Sequence, residues 1–328
     1  MKRILLALLL VLAACGSVQP TPCADSAKPC KCTCTGGAPA TGGRASTGGK
    51  SSVGGSKSTG GQVATGGSSA APTTVACVSI VLPTKANTTA KAVHHKIGKR
   101  HHRHHGRALE TSEIAAAQLC SAVHKANCAT LDQGQTGSCT GNAHVMSIST
   151  QPFTGSAHCN ETDARLAYQG GTCLDNGCSV PCTSKTCPAA FNPSTGANDN
   201  GSQTISVAQW MVDVGWLGSY TTADTTAQLE ACLANGPADI GIDFWSGMQT
   251  PDANGYLNPT GYVEGGHDMN AAILDTKGTT DTSDDEIWVH NSWSNTWGWC
   301  LGSECGYARI KVSNLAKLNF DADCPVPQ

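Results

Sequence analysis

Apolar positions follow two regimes along the chain. Residues 4–12 form an apolar run behind Lys2 and Arg3. The run is too short to span a bilayer after cleavage and reads as a secretory signal. Beyond residue 108 the apolar positions become periodic. Ala143, Val145, Met146 and Ile148 follow Cys139 with helical spacing, which predicts a helix starting at that cysteine. Ile205, Ala208, Met211 and Val212, introduced by Asp199-Asn200-Gly201-Ser202, predict an amphipathic helix running to Val214-Gly215-Trp216. A further helix is expected around 227–233, closed by Asn235-Gly236-Pro237, and alternation over 238–244 then predicts a strand. Met269-Asn270-Ala271-Ala272-Ile273-Leu274, 285–291 and 306–312 read as further strands. The periodic part is thus a helical half followed by an antiparallel sheet half.

Charge divides the chain at the same place. Residues 1–107 hold 14 Lys and Arg against a single acid, Asp25, whereas 108–328 hold 7 against 23. A formal net charge of −3 therefore conceals a basic arm and an acidic domain. The acids of that domain are read mainly as a solvated face rather than as a basic-substrate filter, and nothing in the pattern suggests nucleic acid.

The basic arm has its own order. Leu12-Ala13-Ala14-Cys15 looks like a bacterial lipobox, in which the signal is cut before Cys15 and that residue receives lipid. Several acyl chains anchor firmly where one would not. An ordinary signal with a chance cysteine is the alternative. Gly16, rather than Asp, points to the outer membrane of the cell envelope. Thr35-Gly36-Gly37 recurs at 41, 47, 59 and 65, with Val53-Gly54-Gly55 in the vacant slot, a period of six. Ala, Ser, Lys and Pro between the glycines supply no core, so the repeat is expected to be a flexible tether. As a coil of about 5–6 Å × √n it would hold its cargo roughly 50–60 Å from the lipid. The expected divisions are a signal over 1–14, the lipidated and Cys-rich start over 15–34, the repeat over 35–72, a basic His-rich segment over 73–107, and one globular domain over 108–328. His94-His95 and Lys99-Arg100-His101-His102-Arg103-His104-His105 admit three readings: metal binding, docking onto the acidic domain, or a solvated linker.

The chain has 18 cysteines, and export implies disulfides. Setting aside Cys15 and Cys139 leaves an even number, with Cys77 required to pair inward. Cys300 and Cys305 are placed to close a small loop, and Cys173, Cys178, Cys182 and Cys187 to staple an excursion. A metal knuckle is the rival for those four, disfavoured because the segment lacks histidine.

Candidate chemistry centres on Cys139. Gln133-Gly134-Gln135-Thr136-Gly137-Ser138-Cys139 places a glutamine upstream of the cysteine, Gly265-Gly266-His267 opens an apolar strand, and Ile287-Trp288-Val289-His290-Asn291-Ser292-Trp293 ends another on an amide. Together these resemble the papain-like cysteine peptidases over about 120–315. The resemblance implies an α+β, two-lobed fold: a helical lobe carrying the nucleophile helix, an antiparallel β lobe carrying His267 and Asn291, and a cleft between. It implies Cys139 as nucleophile, His267 as base, Asn291 as the orienting amide and Gln133 as an oxyanion donor with the backbone N–H of Cys139. Trp293 is expected to shield the His–Asn bond and to border the substrate, Trp297 to match the family's second tryptophan, and Gly201 to bind substrate backbone. A helix N-terminus and a partner imidazolium are both expected to lower the Cys139 pKa. Two departures stand out. Thr136 replaces a disulfide-forming cysteine, predicting another staple for the Gln133 loop, and Thr140 replaces a large aromatic after the nucleophile. His144 and His290 are set aside as bases, the first because it shares the Cys139 helix and the second because it faces away from Asn291.

The expected function is a lipid-anchored extracytoplasmic cysteine peptidase, monomeric, acting on peptide or protein without cofactor or metal. The alternative is a non-catalytic surface lipoprotein that uses such a domain to bind metal, polyanion or a protein partner; an amidase of another Cys–His fold is a third. Cleavage preference is not expressed in the sequence.

Overall fold

The computed structural model describes residues 82–85, 97, 121–153, 156–279, 281–326 and 328. Expectations for the signal, Cys15, the Gly-Gly repeat, the His-rich segment apart from Ile97, and Cys77 lie outside the described residues. The architecture is α+β, a helical lobe packed on a nine-stranded antiparallel sheet.

The helical lobe is built from α1 (Cys139–Ile148), α2 (Glu161–Asp175) and α3 (Thr204–Asp213). Every residue of α1 is buried, polar ones included, because the helix lies between α2 on one side and the sheet on the other. Helix α2 starts at Asn160, whose side chain accepts from the Asp163 N–H at 2.9 Å. It meets α1 through Gly141, where a Cβ would lie 2.1 Å from the Ala164 carbonyl oxygen and 2.7 Å from the Tyr168 nitrogen. Gly170 likewise admits the Trp210 ring of α3. Val145, Met146, Ile148, Ala164, Ala167, Val207, Trp210 and Met211 close this core.

The sheet runs in the order β1-β7-β8-β6-β5-β4-β9-β3, with β2 (Ala122–Val123) paired beside β5. Its strands are β1 (Thr84–Lys85), β3 (Ser219–Ala223), β4 (Ala238–Trp245), β5 (Val263–Asp275), β6 (Glu286–His290), β7 (Trp299–Leu301), β8 (Glu304–Lys311) and β9 (Asp321–Val326). Strand β5 includes Gly265 and Gly266, opposite Phe244 and Asp243, and starts just ahead of them at Val263. Helix α4 (Thr226–Asn235) follows a capping box of Thr225 and Gln228, and a short α5 (Leu315–Leu318) precedes β9.

Alternation divides the sheet into two faces. Ile240, Ile242, Phe244, Met269 and Ala271 fill the β core with Leu229, Leu233 and Ile310. Asp239, Asp268 and Asn270 take the other parity in β4 and β5, and β9 brings Asp323 opposite Asp239. All four are buried, and α1 covers this face.

Disulfides join Cys128–Cys159, Cys173–Cys182, Cys178–Cys187, Cys232–Cys324 and Cys300–Cys305. The Cys300–Cys305 loop and the stapled excursion match expectation. Cys139 is the free cysteine among the described residues.

Candidate active site

Cys139 opens α1, where backbone N–H groups lack helical partners. Its sulfur is met by the N–H of Asp268, the residue after His267, and by those of Thr140 and Cys139 itself. Helix α1 and the His267 strand therefore meet at this sulfur.

His267 lies within β5, opposite Ile242. Its Nε2 stands 2.8 Å from Asn291 Oδ1. That oxygen also accepts the Ser292 N–H at 2.8 Å, so it is the acceptor in both contacts and His267 Nε2 carries the proton. In the neutral ring Nδ1 is then the basic nitrogen. Asn291 closes β6 and is held by its own N–H on the Gly306 carbonyl at 2.8 Å. The rings of Phe244 and Trp293 pack on His267 at centroid distances of 5.1 and 4.9 Å, and Trp297 backs Trp293 at 5.5 Å. This apolar wall keeps water from the His267–Asn291 bond. Trp293, only 1% exposed, has no edge for a substrate, so its expected role at the substrate border is corrected to shielding.

Gln133 is fixed from both ends of its amide. Ser292 Oγ donates to Oε1 at 2.8 Å, Nε2 donates to the Thr136 carbonyl at 2.8 Å, and the Gln133 N–H reaches the Ser292 carbonyl at 2.9 Å. Thr136 returns its hydroxyl to the Gln133 carbonyl at 2.7 Å. With Cys128–Cys159 just upstream, these bonds are the alternative staple that loss of a cysteine at 136 predicts.

Gly201 departs from expectation. Its N–H is taken by Tyr168 Oη at 2.8 Å, and that hydroxyl donates to Asp199 at 2.9 Å. The Asp199 carboxylate also accepts the Gly137 N–H at 2.9 and 3.0 Å. The Gly201 N–H therefore serves to fasten the 199–201 loop to the turn before Cys139 and does not reach outward to substrate. Asp199 and Tyr168 are positioning residues that sequence reading missed. Asp199 carried a signal as the start of a capping-type segment, but Tyr168 lies on a helix that reading did not identify.

The expected depression of the Cys139 pKa is reversed. Burial pushes the thiol up, the Asp268 carboxylate adds to this, and the three backbone N–H groups only partly oppose them, leaving it at about 12. The enclosed sulfur is therefore a neutral thiol. Neither other nearby histidine competes as base. His290 is held down at about 4 by burial, stacks on Tyr307 and contacts Thr130 Oγ1 at 2.8 Å. His144 Nδ1 lies 2.8 Å from the Thr140 carbonyl, an acceptor only, so Nδ1 donates and Nε2 faces Asp239 and Asp323.

No protein-family model matches the sequence, and no curated protein matches it. Solved structures similar to the chain include xylellain, a cysteine protease from Xylella fastidiosa, at 17% identity and a TM-score of 0.40, covering 76% of this chain and 100% of that one. Digestive procathepsin L 3 of Tenebrio molitor matches at 17% and 0.41, covering 68% and 73%. Procathepsin B S9 from Trypanosoma congolense matches at 11% and 0.44, covering 71% and 86%. Identities this low leave the chemistry of the site to its own geometry.

Proposed function

We propose that the chain is a cysteine peptidase that hydrolyses peptide bonds through Cys139, His267 and Asn291, with Gln133 stabilising the oxyanion. The observation that carries this reading is the tautomer of His267. Asn291 holds the proton on Nε2, which reserves Nδ1 for the proton of a nucleophile. Attack proceeds from the neutral thiol. As sulfur bonds to the peptide carbonyl carbon, its proton passes to His267 Nδ1, and the carbonyl oxygen becomes an oxyanion. The Cys139 N–H and a Gln133 side-chain N–H are the donors for that oxygen. Collapse breaks the C–N bond, the imidazolium gives its proton to the leaving amine, and a thioester remains. Water, deprotonated by the same nitrogen, then releases the acid and restores the thiol.

Location belongs to the same proposal. Cys15 carries lipid, and the Gly-Gly tether holds the peptidase off the membrane on the far side of the export pathway. The direct test incubates the purified mature chain with a diverse peptide pool and identifies cut bonds by mass spectrometry. Cleavage by the parent that vanishes in Cys139→Ala and His267→Ala is expected. Intact peptides throughout, or undiminished cleavage by Cys139→Ala, would favour the binding-module alternative.

A further inference from the structure

We propose that His144, Asp239 and Asp323 form a binding site for a divalent cation of the zinc class, which fastens the nucleophile helix to the sheet. This inference is independent of the peptidase reading. The three residues come from three elements. Asp239 on β4 and Asp323 on β9 stand directly opposite each other in the ladder, and His144 of α1 lies over both. Like charges facing across a strand pair repel, and here both are fully enclosed, at 0% and 1% exposure. The Ser147 hydroxyl reaches Asp239 and His144 Nε2 reaches Asp323, and no described backbone N–H bonds to either carboxylate. Among the described residues no lysine or arginine forms an ion pair with them. Buried carboxylates in this state either take up a proton or are balanced by a counter-charge, and a bound cation supplies the second.

His144 supplies the remaining ligand in the correct orientation. Its Nδ1 is committed as donor to the Thr140 carbonyl at 2.8 Å, which leaves Nε2 for the site. A ring nitrogen fixed by a backbone carbonyl on its far side is the usual companion of a metal-binding histidine. Nε2 lies 3.3 Å from Asp323 Oδ1 and 3.7 Å from Asp239 Oδ2, and one ligand atom from each residue falls within 4.8 Å of the others. Ligand atoms about 2.0–2.1 Å from a tetrahedral ion stand roughly 3.3–3.4 Å apart, so the triangle fits one ion with small adjustment. One nitrogen and two carboxylates suit zinc, whereas calcium takes six to eight oxygens. A neutral imidazole, two carboxylates and a dication sum to zero charge. Asp268 lies on the opposite side of the ring, 3.8 Å from Nδ1, and is outside the ligand set.

The test uses the mature chain with two competing sets of candidate zinc ligands removed. Cys139→Ala removes the thiol, and Asn replaces the histidines at 94, 95, 101, 102, 104 and 105. Chelator-stripped protein is titrated with Zn2+, passed through gel filtration, and read for retained metal and thermal midpoint. One zinc per chain is expected, with the midpoint rising by about 5–10 °C at a hundredfold excess over Kd. Co2+ in its place should give a visible ligand-field band. Asp323→Asn should lose both responses, yet its metal-free form should melt above the metal-free parent, because the isosteric amide relieves the buried repulsion. His144→Gln, which keeps a donor between the carboxylates, should also lose the metal. Absence of retained zinc, an unchanged parent midpoint, undiminished zinc in the Asn and Gln variants, or stabilisation by Ca2+ alone would each overturn the site. So would a metal-free Asp323→Asn protein less stable than the parent, which would mean that a protonated His144 already balances the pair.

Discussion

Cys139 sits at a point where two physical effects oppose each other, and burial wins. The helix start and the N–H of Asp268 favour a thiolate, but a sulfur 3% exposed beside a carboxylate stays protonated to about 12. The sign for reactivity follows: a thiol whose pKa is raised gains nucleophile only as pH climbs. Alkylation by iodoacetamide is expected to rise about tenfold per pH unit between pH 6 and 9, with no plateau on the acid side. A rate already constant at pH 6 would show an imidazolium–thiolate pair instead. In the proposed mechanism Gln133 acts at a different stage. Its amide is held by Ser292 and Thr136, so removing it leaves the thiol in place. Gln133→Ala should keep the alkylation rate while lowering kcat by about 10²–10³-fold, read in steady-state peptide cleavage. A change in KM alone would remove Gln133 from the oxyanion site.

At the scale of elements, the site depends on how closely α2 approaches α1. Gly141 is where the two backbones touch, and the atoms a Cβ would strike are main-chain atoms of Ala164 and Tyr168, which cannot rotate aside. Gly141→Ala is therefore expected to separate the helices, lower stability by about 1–3 kcal/mol in urea unfolding, and reduce peptide turnover. Unchanged stability would mean that α1 can shift freely. Helix α2 also shows where sequence reading stopped. Apart from Tyr168, its buried residues are small or polar, Ala164, Ala167, Gln169, Gly170, Gly171, Thr172 and Cys173, which leaves little apolar periodicity. The α1, α3 and α4 patterns, with Met146, Met211 and Leu229 on their buried sides, were legible, as were the cores of β4, β5, β6 and β8. Strands β3 and β9 were not, because Thr221, Thr222, Asp321 and Asp323 interrupt them and their core positions are small, Ala223, Ala322 and Cys324. The residues brought together at His267 and Asn291 were legible from local motifs, whereas the Tyr168–Asp199–Gly201 link was not, since it joins separated loops through one hydroxyl. The thiol pKa escaped for the same reason: enclosure is a property of the assembled lobes.

On the scale of the whole molecule, an acidic domain follows a basic arm, and the described residues hold no helix long and apolar enough to cross a membrane. Membrane attachment in this account comes from lipid on Cys15. Cys15→Ser should abolish fatty-acid labelling and shift the protein from the membrane to the soluble fraction, read by fractionation of cells; retention in the membrane fraction would place the anchor elsewhere. The central claim is that Cys139 is the nucleophile and His267 its base. The most direct measurement treats the mature chain with a peptidyl epoxide and locates the adduct by intact-mass analysis and peptide mapping. The account predicts a single adduct on Cys139 that disappears in His267→Ala. No adduct, an adduct on another residue, or equal labelling of the His267→Ala protein would contradict it.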